Sequence, residues 1–190
     1  MVYNPRQDSS SLSTGSILVA TPSLKDPNFE KSVILLSEHD EQDGSLGVVI
    51  NKPLKKTLGE CLEDFRSGPL SEVEVYVGGP VQQNQLLLAG WKWANDGDGF
   101  SLFFGISKEK AIDLLEQDSN MVIKGYLGYA GWGEGQLEGE ILENAWYRSE
   151  VDYHFLRMDV PPVTLWRRFV QRFDPTFDGS LDYPEDPSLN

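Results

Sequence analysis

The residues best suited to acid–base chemistry in this sequence are His39 and Glu140. His39 stands in the run Glu38-His39-Asp40, and Glu140 closes the glycine-rich stretch GYLGYAGWGEGQLEGEI at residues 125–141. Either could take a proton from water or a hydroxyl and so serve a hydrolase as its general base. Each also has a plainer reading. A histidine at a strand end beside a turn is ordinarily solvated surface. A glutamate four residues after Gln136 shares a helix face with it, and the pair can tie down the backbone of the preceding turn. No Gly-x-Ser-x-Gly elbow accompanies them. The only cysteine, Cys61, falls on an apolar stripe, where a structural thiol is expected rather than a reactive one. The second histidine, His154, is distant in sequence.

Phosphate and metal chemistry fare less well. The glycine stretch has Gly128, Gly131, Gly133 and Gly135 but lacks the Lys-Ser/Thr that completes a P-loop, and Gln136 stands where a Gly-x-Gly-x-x-Gly motif needs its third glycine. A helix starting near Gly135 would present free amides to an anion, with Glu134 competing for them. Zinc sites need several closely spaced His or Cys ligands, and this chain has two histidines and one cysteine. Glu38, Asp40, Glu41 and Asp43 miss the EF-hand order and are read as an acidic hairpin tip. The expectation is therefore no metal and no cofactor.

Two further segments, GVVINKP and YVGGPV, run from an apolar strand into a proline. Pro53 and Pro80 are expected to end the ladder there. Asn51 can bond a turn backbone, while Gly78 and Gly79 permit positive φ or a close approach. Turn-making accounts for these residues. A loop-lined groove at one end of the sheet, built from Asn51, Gly78, Gly79, Pro80, Trp132, Gln136 and Glu140, is the functional alternative.

The elements that would hold these residues are mostly strands. SILVATP, SVILLSEH, LGVVINKP, VEVYVGG, QLLLAGW, FSLFFG, MVIKGYLGYA and AWYRSEV are short and rich in Val, Ile, Leu and aromatics. DEQDG joins the second and third as a hairpin. Helices are predicted over 57–67, with Leu58, Cys61, Leu62 and Phe65 on one stripe, over 107–118 with Ser107 as N-cap, and over 161–173, besides the helix after Gly135. Hairpins first and single helices later give an α+β protein. Its sheet is mostly antiparallel or mixed, with curling toward a barrel as one form, and three to four helices flank it.

A length of 190 residues suits one domain, taken as 13–173, between a flexible tail at 1–12 and an acidic flexible tail at 174–190. The net charge of −14 opposes DNA binding, which draws its affinity from Lys and Arg on phosphate. No apolar run is long enough to cross a bilayer and no secretory signal is read at the N-terminus; a single cysteine rules out an internal disulfide framework, so a reducing cytoplasm is the expected compartment.

Taken in order, GSILVATPSLKDPNFEKSVILLSEH, GSLGVVINKPL, VYVGGPV and KGYLGYAGWGEGQLEGEI, followed by Trp146 and Trp166, resemble the YqgE/AlgH family of bacterial proteins. The matching positions include Phe29, Ser32, Asn51, Pro53, Gly78, Gly79, Pro80, Gly128, Gly131, Trp132, Gln136, Leu137 and Glu140. The resemblance implies a compact α+β fold and, for some members, the label of transcriptional regulator. It supplies no nucleophile paired with a base. The first functional reading is a non-enzymatic regulatory or adaptor protein that binds a protein or small ligand. A hydrolase using Glu140 or His39 is the alternative, and a DNA-binding regulator is third. Neither the ligand, the partner nor the oligomeric state can be read from the chain.

Overall fold

The structure, a computed structural model, describes residues 12–40, 42–93, 100–151 and 161–178. The chain order is β1 (Ile17–Ala20), β2 (Val33–Asp40), β3 (Gly44–Val49), β4 (Pro53–Thr57), α1 (Leu58–Cys61), β5 (Glu74–Val77), β6 (Val81–Trp93) and β7 (Phe100–Phe104), then α2 (Lys108–Gln117), β8 (Val122–Trp132), α3 (Gln136–Leu142), β9 (Trp146–Ser149) and α4 (Pro162–Phe173). The strands form one mixed sheet in the order β4-β5-β8-β3-β2-β1-β9, with β6 pairing β8 and β7 pairing β6. All these pairs are antiparallel except β5 with β8. The expected α+β class with a mixed, curled sheet is what the chain adopts.

The curl has a local cause in β8. Its first part pairs with β5 and β6, and its last three residues pair with β3. Between them Gly128 takes a φ of 71°, a conformation that side chains resist. A Cβ there would lie 2.5 Å from the carbonyl oxygen of Gly79. The bend can therefore form only where both backbones are bare.

Apolar runs sort the sheet into two buried clusters. Every residue of β1 and the first half of β2 are buried, the mark of strands covered on both faces. Leu165, Trp166, Phe169 and Val170, the apolar face of α4, join this larger cluster. Trp166 completes it by donating its indole N–H to the Ala20 carbonyl at 2.7 Å. The smaller cluster gathers Leu58, Ala111, Leu114, Val75, Leu88 and Ile123 beneath α1 and α2. Ser107 caps α2 by accepting from Lys110 N at 3.1 Å.

Two readings change. The helix expected over 57–67 is a single turn, α1, that breaks where Leu62 becomes extended and resumes as a 3-10 turn at Glu63–Phe65. The break returns Phe65 to the core and leaves Cys61 partly exposed. Pro53 does not stop a ladder. It opens β4, a first-of-strand position where its missing N–H is tolerated. Near the two ends of the described residues, Leu12 packs on the larger cluster, and Phe177 meets Trp166 edge-on at 5.6 Å. His154, Glu41, residues 1–11 and residues 179–190 lie outside the described residues. Among the described residues, no helix is long and apolar enough to cross a membrane.

Candidate functional site

The corner opened by Trp132 is assembled from four segments. Trp132 ends β8 opposite Ser45, and a Cβ on neighbouring Gly44 would lie 2.3 Å from the Trp132 carbonyl oxygen. Gly135, at a φ of 64°, turns the chain into α3. Gln136 then reaches back, its Oε1 accepting from Gly133 N at 3.1 Å and its Nε2 donating to Glu140 Oε1 at 2.9 Å. Glu140 Oε2 accepts two indole N–H bonds, from Trp132 at 2.9 Å and from Trp146 at 2.7 Å.

The rings close the arrangement. Phe29 stacks on Trp132 with centroids 6.1 Å apart and meets Trp146 edge-on at 5.7 Å, and the two indoles meet edge-on at 6.0 Å. Trp132 and Trp146 are buried. One carboxylate thus satisfies two indole donors that would otherwise be orphaned in an apolar environment. Three of the roughly four acceptor positions on Glu140 are occupied by protein donors. That is the bonding of an anchor, and it leaves little of Glu140 for a general base. The Gly133 amide, a candidate for holding an anion, is already bonded to Gln136.

Asn51 serves the same cluster through the segment that leads into β2. Its Oδ1 accepts from Val33 N at 2.8 Å and its Nδ2 donates to the Lys31 carbonyl at 2.9 Å. This fixes the loop that delivers Phe29 to the tryptophans. The Gly78–Pro80 loop lies against the other candidate loop through Gly78 O accepting from Val49 N at 2.8 Å and Lys52 O accepting from Val77 N at 2.9 Å. A Cβ on Gly78 would sit 2.2 Å from Gly128 O, and one on Gly79 2.2 Å from Tyr129 O. Pro80 immediately precedes β6 and is half-buried. Asn51, Gly78, Gly79 and Pro80 are therefore brought together by backbone packing, and Trp132, Gln136 and Glu140 by one hydrogen-bond network, with Phe29 joining the two groups.

His39 belongs to a third arrangement. Far from being solvated, its side chain is 8% exposed. Nδ1 shares a 2.8 Å hydrogen bond with Ser45 Oγ, its direct cross-strand partner, and Nε2 lies 3.6 Å from Glu138 Oε1. Glu138 and Glu140 are two residues apart, roughly 200° around a helix, so they leave α3 on opposite sides. His39 and Glu140 do not form one catalytic pair. At the hairpin tip, Asp40 accepts from the amides of Asp43 and Gln42, and these bonds hold its carboxyl below the usual carboxylate range. Among the described residues, no three His, Cys, Asp or Glu side chains converge as a metal site.

Phe29, Trp146, Ser45 and Glu138 were missed as site residues. Phe29 and Trp146 had no local signal, because each lies on a segment remote from Trp132 in sequence. Ser45 could have been found from the hairpin register, which sets it opposite His39.

A curled mixed sheet, with two tryptophans clamped to the carboxylate of a short helix, defines an α+β protein whose fold recurs in solved structures. One is a crystal structure of a protein from Corynebacterium diphtheriae, similar at a TM-score of 0.66 with 21% identity over 89% of this chain and 91% of that one. The chain belongs to the AlgH-like family, whose model matches residues 17–178. The solution structure of AlgH from Pseudomonas aeruginosa is similar at a TM-score of 0.61 and 29% identity, covering 95% of this chain and 98% of that one. A UPF0301 protein of Streptomyces coelicolor is 37% identical over 191 residues, 93% of this chain and 95% of its own length. One from Yersinia pseudotuberculosis is 37% identical over 168 residues, 79% of this chain and 86% of its own.

Proposed function

We propose that the protein is a non-enzymatic regulatory or adaptor protein of the cytoplasm. It binds a protein partner or small ligand through the exposed corner Gly133–Gln136, with the Asn51 and Gly78–Pro80 loops as its support. The observation that carries this reading is the bonding of Glu140. The residue best placed for acid–base work at the corner is spent on Trp132, Trp146 and Gln136, so the cluster holds a surface in place. Residues 133–136 themselves are exposed. A polar, exposed turn on a rigid aromatic base loses little conformational freedom on binding, which favours recognition.

The test uses the purified protein as bait in extract of its own cell. A charge reversal at the exposed Glu134, E134K, should abolish capture of the specific partner while leaving the melting temperature unchanged. Capture that survives both this change and Gln136→Ala would remove the corner from the reading.

A hydrolase with His39 as general base is the second reading, drawn from the line Ser45–His39–Glu138. Ser45, at 3% exposed, is closed to a substrate, which weighs against it. A serine-directed fluorophosphonate that labels Ser45 would revive this reading. DNA binding stands third, opposed by the charge of −14. Retention of duplex DNA on a filter at low salt would reinstate it.

A further inference from the structure

The corner reading leaves one buried titratable cluster unused. His39 is enclosed between β3 and α3, with Ser45 Oγ on one ring nitrogen and Glu138 Oε1 on the other. The Glu138 side chain is 35% exposed as a whole, yet its Oε1 is buried and has no hydrogen-bond partner. A buried carboxylate oxygen left unpaired is costly, and the group placed to relieve it is the imidazole 3.6 Å away.

The ring chemistry defines how. A neutral imidazole has one N–H to give. With the proton on Nδ1, it donates to Ser45 and sets a lone pair against the carboxylate. With the proton on Nε2, Ser45 donates to Nδ1 and the N–H faces Glu138 without a charge to strengthen it. A proton taken from solvent makes both nitrogens donors and adds a full charge opposite Glu138. Asp40, from its own strand, also interacts electrostatically with the ring, and it too is a carboxylate.

We propose that His39 is a proton-operated clamp between the β2–β3 hairpin and α3. Protonation draws Glu138 onto Nε2 and fixes α3 to the hairpin; loss of the proton releases that tie. The clamp acts at the first turns of the helix that carries Gln136 and Glu140, so it governs how firmly the glycine corner is held. The sign follows directly. The tie needs both the imidazolium and the Glu138 carboxylate, so it is present where both are charged and is lost as rising pH removes the imidazole proton.

The test is a double-mutant cycle of His39→Gln and Glu138→Gln, read by urea unfolding and by amide exchange of the hairpin and α3. At about pH 5 the coupling should slow opening of these amides about fivefold, and at about pH 8 it should vanish. Equal coupling at both pH values would overturn the proposal, because a purely structural contact does not depend on the proton. Should His39→Gln fail to fold, Glu138→Gln suffices alone. The NMR titration of the His39 ring must then shift between wild type and E138Q, and an unchanged midpoint refutes the clamp.

Discussion

Glu140 shows how a residue with catalytic credentials becomes structural through its neighbours. Its carboxylate is the common acceptor for two indoles and one amide, and no cation stands among them. Glu140→Ala removes the one oxygen that accepts both indoles, leaving two indole N–H groups unpaired in the aromatic cluster. The expected loss is about 1–3 kcal/mol of unfolding free energy in urea, accompanied by a change in tryptophan emission. The sequence showed Gln136 and Glu140 on one face at a spacing of four, and that part of the network was legible. Trp146 was not, because its place beside Trp132 depends on α3 reversing the chain between them.

At the scale of elements, the glycines divide by what surrounds them. Gly78 has the Gly128 carbonyl 2.2 Å from where a Cβ would stand, so Gly78→Ala must displace β5 from β8. Its cost should exceed about 2 kcal/mol, in the range of overpacked cores. Gly139, on α3, has nothing within 4 Å. Gly139→Ala should therefore stabilise the protein by about 0.5–1 kcal/mol, through helix propensity alone. Thermal or urea unfolding of both variants checks the pair, and opposite signs are the expected outcome. Strand positions were legible because apolar runs and turn residues are local signals. The length of the first helix was not, since the break at Leu62 answers to burial of Phe65 and not to any helix-stopping residue.

For the whole molecule, charge sets the response to pH and salt. Glu74 on β5 is held below its usual value of 4.5, chiefly by the hydrogen bond from Lys124 on β8, and Asp118 is lowered by the bond from Lys92. Both carboxyls are depressed in the folded state. Their contribution is therefore present above the unfolded values and is lost as pH falls through the folded ones. The urea midpoint should decline below about pH 4.5, and Lys124→Met should flatten that decline. A net charge of −14 also repels itself, so raising salt from about 0.01 M to 0.15 M should raise the melting temperature.

By itself, the sequence determined the α+β class, eight of the nine strands among the described residues, the helices over 107–118 and 161–173 and after Gly135, and the absence of a P-loop. Each of these rests on periodicity, turn chemistry or motif spacing within a short window. Tertiary structure alone decided the rest. It placed Phe29 and Trp146 around Trp132, spent Asn51 on the loop that carries Phe29, and buried His39 between Ser45 and Glu138. These outcomes depend on which segments the curl of β8 at Gly128 brings together, and a chain read residue by residue contains no distance between them.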